Sequence, residues 1–305
     1  MIQFIISLLF GAIQSGTSVL YGIYGETITE RAGVINLGTE GCMIVGALAG
    51  YAFTYKTGSP VLGVLMAALC GGCLALIHAV MVVYRKSNQL ATGLAIMFLG
   101  TGITAFLGRD YVSVSGTGLS PVAIPFLSQI PVLGEVLFSQ DLLTYLSFIL
   151  CPLFTVLLFK TRAGLVLRAT GEDEEVLSAY GFNPKLLRVL GVVAGGMVTA
   201  IGGAQLSIAY THTWIENMTN GRGVIAVALV VLTGYNPRYA MIGAYIFGGA
   251  QTLQLMLQAQ GVNISTFILQ MFPYIFTILA MFIVSRKGAQ LMPAELKRII
   301  ESSAN

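Results

Sequence analysis

Residues 61–84 read VLGVLMAALCGGCLALIHAVMVVY, a run that contains no Lys, Arg, Asp or Glu. A helix needs about 20 predominantly apolar residues to cross the hydrocarbon core of a bilayer, and this run is long enough. The rest of the chain is similar, because 56% of its 305 residues are hydrophobic, only 10% are charged and the mean hydropathy is +0.83. Soluble domains usually contain about 25% charged residues. The composition therefore excludes a soluble domain and predicts a membrane protein.

Further apolar runs recur on both sides of this one, separated by polar turns. They are Ile2 to Tyr24, Ala32 to Thr54, Leu90 to Gly108, Leu142 to Phe159, Leu187 to Tyr210, Arg238 to Ala259 and Ile264 to Ser285. A shorter run, Gly223 to Gly234, is either a compressed span or half of a broken helix, which membrane proteins tolerate where protein or water covers the backbone. The pattern predicts an all-α polytopic membrane protein with about eight to ten transmembrane helices, at least one of them short or broken.

The distribution of Lys and Arg predicts the orientation of these helices, since cytoplasmic loops carry most of the basic residues. All but three of the 16 Lys and Arg lie inside if residues 160–188 form a cytoplasmic loop, residues 286–305 form a cytoplasmic tail, and Arg31, Arg85-Lys86 and Arg238 are cytoplasmic. The whole chain, 1–305, is then one transmembrane domain. Lys56, Arg109 and Arg222 are then outside. Counting the short run as a span gives nine crossings, an external amino terminus and a cytoplasmic carboxyl terminus. No Lys or Arg precedes the first run, so a removable signal peptide is not expected.

Several functions have no basis in this sequence. It contains no Gly-rich nucleotide cradle and no His-Glu-x-x-His motif, and we expect no catalytic residue, no metal site and no cofactor bound by this chain. His78 lies in an apolar run and is expected to hydrogen-bond between helices. The four cysteines also lie in apolar runs and are expected to act as small hydrophobic residues. The few charges form no broad basic face for a nucleic acid.

Glu40 is the main candidate for a residue of the substrate pathway, together with Asn36 in the same run. A carboxylate at the bilayer centre costs about 2.5–3.5 kcal/mol on insertion scales, so it needs a cavity or a partner. Glu40 either lines a path for cargo or hydrogen-bonds backbone groups freed at a helix break between Gly38 and Gly41. Both interpretations place it against protein or water rather than lipid.

The polar segment from Tyr210 to Arg222 is expected at the outer mouth, where Tyr210, Trp214 and Asn220 are candidates for contacting cargo. Aromatic faces suit stacking on a planar base, yet Tyr and Trp are also common at any membrane interface. Interface anchoring is the favoured interpretation of the aromatic residues. Gln251, Gln254 and Gln258 share one helical face, which is expected to pack against other helices.

The loop at 160–188 is expected to contain a short exposed helix. Thr170 is predicted to cap it with Asp173 at the third position, and the acidic residues from Glu172 onward suit a helix start. Gly181 is predicted to end it, and Asn183-Pro184 to begin the next membrane helix. Val176, Leu177 and Tyr180 give this helix an apolar face. A partner protein binds this face, or the face rests on lipid headgroups.

Three blocks of this sequence resemble the permeases of ABC transporters for nucleosides. They are ERAGVINLGTEG at 30–41 followed by Gly46-Ala47, GRGVIAVA at 221–228 continuing through Gly234-Tyr235-Asn236-Pro237 to Phe247-Gly248, and RATGE at 168–172. The blocks cover most of the chain in order. Related simple-sugar permeases typically carry a Gly-Gly-Ile-Asp-Leu-Ser-Val-Gly type run where this chain has Ala32 to Gly38, so the resemblance favours nucleosides over sugars.

The resemblance implies a multi-pass subunit of a bacterial inner membrane that forms half of a pore for nucleosides or nucleobases. The implied partners are a second, different permease subunit, a cytoplasmic ABC ATPase that uses the ATP, and an extracytoplasmic substrate-binding lipoprotein. The ATPase groove is expected to receive the helix from Glu172 to Gly181. A simple-sugar permease is the alternative, a stand-alone ion-coupled carrier based on Glu40 is a weaker one, and an intramembrane enzyme is remote.

Overall fold

The computed structural model describes residues 2–112, 114, 116, 118–261 and 265–304. Within them, α-helices account for most of the chain. These are α1 (Ile2–Arg31), α2 (Thr39–Thr57), α3 (Pro60–Val83), α4 (Gln89–Leu107), α5 (Leu133–Phe138), α6 (Leu142–Lys160), α7 (Arg162–Glu172), α8 (Glu174–Ala179), α9 (Pro184–Ala204), α10 (Arg222–Leu232), α11 (Pro237–Ala259), α12 (Thr266–Gln290) and α13 (Ala294–Ala304). A π-helical turn, Gln205–Tyr210, extends α9.

Among the residues that the structure describes, six helices are long and apolar enough to cross a membrane: α1, α3, α4, α6, α9 with its π-helical turn, and α11. Shorter apolar helices run from Arg222 to Leu232 and from Phe267 to Leu279. The predicted class, an all-α polytopic membrane protein with at least one short helix, is therefore confirmed.

The first helix, α1, is the central element of the bundle. Residues 12–30 are all buried, on every side of the helix, as expected of a helix surrounded by others. It packs mainly against α11 and α9. Contact with α9 is possible only because both helices present glycine: a Cβ on Gly25 would lie 2.3 Å from the carbonyl oxygen of Gly195. Ser15 donates to Gln251 Oε1 at 2.6 Å, which confirms the expected packing role of Gln251.

The second helix begins later than the hydropathy pattern predicts. The predicted span starts at Ala32, but residues 32–38 form a buried turn and α2 starts at Thr39. Gly33 adopts a φ of +85°, which favours glycine and stops α1. His78 Nε2 lies 3.2 Å from the carbonyl oxygen of Ile35. His78 therefore has a polar partner as expected, but that partner lies in the turn between α1 and α2 and not on a helix.

The short helix α10 is half of a span. Its 11 residues extend about 16 Å, against about 30 Å for the hydrocarbon core. It starts beside the middle of α1, where Arg222 contacts Ser15, and the chain leaves it at Tyr235 beside the end of α1, where Arg31 donates to the Tyr235 carbonyl oxygen at 3.1 and 3.2 Å. Of the two sequence interpretations, half of a broken helix is therefore the correct one.

The two ends of the bundle differ in the way the charge pattern predicts. Arg31, the loop at 160–188 and the tail helix α13 lie together at one end, linked by contacts of α7 with both α1 and α13. Lys56 lies at the other end, with its Nζ 5.9 Å from the ring centroid of Tyr111. At that end the chain between α4 and α6 crosses the helix ends, and Leu119 N donates to Ile208 O at 2.8 Å.

Candidate translocation and coupling sites

Two buried carboxylates hold the starts of helices inside the bundle. The first is Glu26 on α1, which is 1% exposed. Its Oε1 accepts from Asn36 N and its Oε2 from Thr39 Oγ1, both at 2.8 Å. Asn36 Oδ1 in turn accepts from Gly38 N at 2.9 Å. Glu26 therefore stabilises the turn before α2, and Asn36, a predicted pathway residue, is a buried part of that turn.

The second carboxylate is Glu40, in the first turn of α2. Its Oε1 accepts from Thr219 Oγ1 at 2.6 Å and from Gly221 N at 2.9 Å, and its Oε2 accepts from Gly223 N at 2.6 Å. Glu40 thus caps the start of α10, where backbone N–H groups have no partner within the helix. The sequence allows two roles for Glu40, and the structure shows the second, which is to bind backbone N–H groups. Those N–H groups lie at the start of α10, however, and not at a helix break between Gly38 and Gly41.

The approach of α2 to α10 requires glycine at position 223. A Cβ there would lie 2.5 Å from Glu40 Cα and 2.6 Å from Glu40 N, distances that no side chain tolerates. Gly221, with a φ of +79°, makes the turn that aims both N–H groups at the carboxylate. The sequence block at 221–228 therefore contacts the block at 30–41 through Gly221, Gly223 and Glu40.

Arg222 is not on the outer surface, where the charge pattern placed it. It is 6% exposed, and its Nη1 donates to Ser15 O at 2.8 Å and to Ser18 Oγ at 2.7 Å. Its guanidinium carbon lies 5.9 Å from the ring centroid of Tyr210. Burial is possible because α1 supplies oxygen acceptors at its middle and Glu40 supplies a nearby negative charge. Hydropathy alone cannot detect these tertiary partners.

The other predicted residues of the outer segment are placed differently from one another. Trp214 is 1% exposed and packs in an apolar cluster with Tyr51 and Leu143, so the interpretation of Trp214 as an anchor on the lipid-facing surface is wrong. Tyr210 is half-buried at the end of the π-helical turn. Asn220 is exposed, and its carbonyl oxygen accepts from Tyr274 Oη at 2.9 Å. Contact of these residues with cargo stays a prediction.

A cavity of about 400 Å³ between α2, α3 and α4 was not found from the sequence. Apolar side chains form most of its lining, and Lys56, Thr104, Asp110 and Tyr111 add polar groups. These residues come from three helices and the turn after α4, so no local pattern marks them. Within the described residues, no group of three or more His, Cys, Asp or Glu is placed to hold a metal ion.

The loop at 160–188 contains the predicted short helix, with a corrected start. Thr170 lies inside α7 and donates to Val166 O at 2.9 Å, so it caps nothing. Asp173 is the cap instead, accepting from Glu175 N at 2.9 Å and Val176 N at 3.2 Å. Gly181, with a φ of +81°, follows the helix end as predicted.

Asn183 and Pro184 begin α9 as predicted, because the Asn183 side chain accepts from Leu186 N at 3.2 Å.

The apolar face predicted for α8 is divided in the structure. Leu177 is 4% exposed and faces the protein, whereas Val176 is 53% and Tyr180 79% exposed. Leu177 therefore anchors the helix, and the other two side chains form a small exposed apolar surface. Glu172 points to the carboxyl-terminal part of the same chain, where its Oε2 accepts from Ala294 N at 3.2 Å.

Residues 7–285 match the family described as the branched-chain amino acid transport system permease component. The putative glucose ABC transporter permease protein TsgC13 of Haloferax volcanii is 40% identical, over 84% of this chain and 79% of its own. The guanosine ABC transporter permease protein NupQ of Bacillus subtilis is 33% identical, over 84% and 85%. The nucleoside ABC transporter permease protein NupC of Lactococcus lactis is 30% identical, over 87% and 88%. No solved structure matches this chain.

The chain therefore belongs to this family of multi-pass transport subunits and is a permease component of an ABC transporter. A permease component of this kind acts with an ATPase and a substrate-binding partner. Membership of the family favours a subunit of this kind over a stand-alone ion-coupled carrier.

Proposed function

We propose that this chain forms half of the pathway of an ATP-driven importer for nucleosides or nucleobases in a bacterial inner membrane. A second, different permease subunit completes the pathway, a cytoplasmic ABC ATPase uses the ATP, and an extracytoplasmic lipoprotein delivers the substrate. This chain binds no cofactor of its own. The observation that carries the proposal is the block at 30–41, which resembles nucleoside permeases, in a chain 30% and 33% identical to two relatives named for nucleoside or guanosine transport.

The buried half-helix supports a role in translocation. Transporters place the ends of discontinuous helices near the middle of the membrane, where polar groups on the backbone can meet a substrate. In this chain Glu40, Asn36 and Trp214 are buried and hold the surrounding elements in position. Tyr210 and Asn220 are the accessible members of the predicted pathway set. We assign contact with cargo to these two residues and a positioning role to the other three.

The cavity between α2, α3 and α4 lies at the end of the bundle that contains Lys56, and we call it the outer cavity. Its lining supports a nucleoside as cargo. Small-molecule sites are mostly apolar and contain a few polar groups that fix orientation. The cavity combines an apolar lining with the ring of Tyr111, the carboxylate of Asp110 and the ammonium group of Lys56. An aromatic face suits a planar base, and the charged groups suit the hydrogen-bonding edges of the base and the ribose.

The loop at 160–188, which we call the coupling loop, supports the proposal that a partner ATPase drives transport. Thr170, Glu172, Asp173, Val176, Leu177, Tyr180 and Gly181 form or flank α8. In our proposal Asp173 and Gly181 set the two ends of α8, and Leu177 anchors it. Val176 and Tyr180 enter the ATPase groove, since exposed aromatic and aliphatic side chains are effective anchors at interfaces. Closure of the ATPase then displaces the loop as a rigid body.

A simple sugar is the second candidate cargo. The specific observation in its favour is the 40% identity with the putative glucose permease of Haloferax volcanii, which exceeds the identity with either nucleoside relative. The pathway and the coupling mechanism are the same for both cargoes, so only uptake itself distinguishes them.

Reconstitution tests the proposal. The chain is placed in liposomes with its second permease, ATPase and binding protein, and uptake of labelled guanosine and glucose is measured with and without internal ATP. We expect ATP-dependent uptake of guanosine, no uptake of glucose and no uptake when the ATPase is omitted. Uptake of glucose alone supports the second candidate. Accumulation by this chain alone, without ATP and abolished by an uncoupler, refutes both.

A further inference from the structure

The tail helix α13 (Ala294–Ala304) packs against the coupling loop. Ala294 is its first residue, and the Ala294 N–H donates to Glu172 Oε2 at 3.2 Å. Glu172 is the last residue of α7. The carboxylate therefore sits at the positive end of the tail helix, where a negative charge is stabilising. Glu172, which the sequence assigned to the helix that is expected to face the ATPase, thus also contacts its own chain.

Arg188, in the second turn of α9, links the same elements on a second side. Its Nη1 forms an ion pair with Glu174 of α8, and its Nη2 lies 3.5 Å from Glu295 of α13. Nη2 also donates to the carbonyl oxygen of Thr170 in α7 at 3.3 Å. The Arg188 side chain is only 11% exposed, so water screens these ion pairs less than it screens pairs on the surface.

The tail helix also contributes to the apolar cluster at the end of the half-helix. Leu296 is fully buried in the apolar cluster that contains Val230 of α10 and Tyr235, just after its end. Ahead of the helix, Leu291 lies against Gly234, where an added Cβ would come within 2.9 Å of Leu291 Cδ1. The tail segment therefore contacts the loop at 160–188 through α13, and the turn that follows α10 through Leu291.

We propose that α13 is a coupling strut, which carries the displacement of α7 and α8 directly to the cytoplasmic end of α10. The inference rests on the proposed function, since it needs an ATPase that moves the loop. Glu172 and Glu295 are positioning residues in this arrangement, and Leu296 transmits the movement. Leu296 is buried, and the polar contacts of Glu172 and Glu295 join α13 to the loop, so a displacement of the loop either moves the tail helix or breaks these contacts.

The test uses the complete reconstituted complex with one of three substitutions in this chain. Glu295→Gln removes the ion pair with Arg188 at constant size. Leu296→Ala removes the buried side chain that α13 contributes to the apolar cluster at the end of α10. Glu301→Gln is the control at an exposed position of the same helix. Assembly is measured by size-exclusion chromatography, together with the rate of ATP hydrolysis and the uptake per ATP hydrolysed.

We expect all three complexes to assemble and hydrolyse ATP at the rate of the unmodified complex. Uptake per ATP is expected to fall about fivefold with Glu295→Gln and with Leu296→Ala, and to stay unchanged with Glu301→Gln. Unchanged uptake per ATP in both assembled variants overturns the strut. So does loss of assembly with Leu296→Ala when Glu295→Gln behaves like the control, because the helix then serves only folding. Failure of the proposed function differs from both, since it abolishes ATP-dependent uptake in every chain, including the unmodified one.

Discussion

Replacing Glu40 with Gln separates a positioning role from a direct role in the pathway. The carboxylate accepts three hydrogen bonds, two at Oε1 and one at Oε2. The glutamine amide has the same size but only one acceptor oxygen. If that oxygen keeps the hydrogen bonds from Thr219 and Gly221, the NH₂ group faces the N–H of Gly223, and two donors then meet. One bond to a charged acceptor is lost and one buried donor loses its partner, which together cost about 3 kcal/mol.

This loss is measurable in the purified protein before any transport assay. A decrease of about 3 kcal/mol corresponds to a fall of about 5 °C in the melting temperature of a chain of 305 residues. Glu216→Gln, an exposed carboxylate of the same outer segment, is the matched control and is expected to melt like the unmodified chain. ATP-dependent uptake is expected to fall with Glu40→Gln, because the start of α10 is no longer fixed.

Gly223→Ala distinguishes the two roles of Glu40. The added Cβ would lie 2.5 Å from Glu40 Cα, so it separates α2 from α10 while the carboxylate remains. If Glu40 acts by positioning α10, both substitutions lower the melting temperature and the uptake together. An unaltered melting temperature with Glu40→Gln refutes the capping role, and lost uptake at unaltered stability instead assigns Glu40 to the pathway.

Three further predictions follow from the described contacts. Tyr180→Asp puts a charge on the exposed surface of α8 and is expected to weaken binding of the isolated ATPase about tenfold or more; Glu175→Gln on the same helix is the control, and equal binding contradicts the docking surface. Glu26→Gln is expected to cost only about 1 kcal/mol, because the Thr39 hydroxyl can accept from the amide and donate to Asn36 O; a loss as large as that of Glu40→Gln in thermal melting refutes this reasoning. Tyr111→Ala is expected to raise the guanosine concentration for half-maximal uptake about fivefold, and an unchanged value removes the outer cavity from the pathway.

The lipid-facing helices were predictable because their signal is local. The span predicted at Val61 to Tyr84 is observed at Pro60–Val83, and the one at Leu90 to Gly108 at Gln89–Leu107. These helices expose long rows of apolar side chains, and the hydropathy of each run is enough to define it. The stop at Gly181 was equally local, since it depends on one residue with positive φ.

The interior of the bundle was less predictable because its partners are far apart in sequence. Nothing near Glu40 indicates that its carboxylate binds residues 219–223, and Glu26 was not recognised at all. The error at Thr170 has a different cause. Thr170 and Asp173 are both acceptable caps, and only the structure reveals that Thr170 bonds back within its own helix.

The paired carboxylates explain how movement at the cytoplasmic end can reach the centre of the membrane. Two helices start inside the bundle, where backbone N–H groups have no water as an alternative partner. Glu26 of α1 fixes the start of α2, and Glu40 of α2 fixes the start of α10. The chain leaving α10 returns to Arg31 at the end of α1, so the three helices form a closed set of contacts. In the proposed mechanism we therefore expect a displacement applied at Tyr235 to move α1 and α2 together with α10, and with them the contacts that α9, α3 and α11 make with α1 and α2.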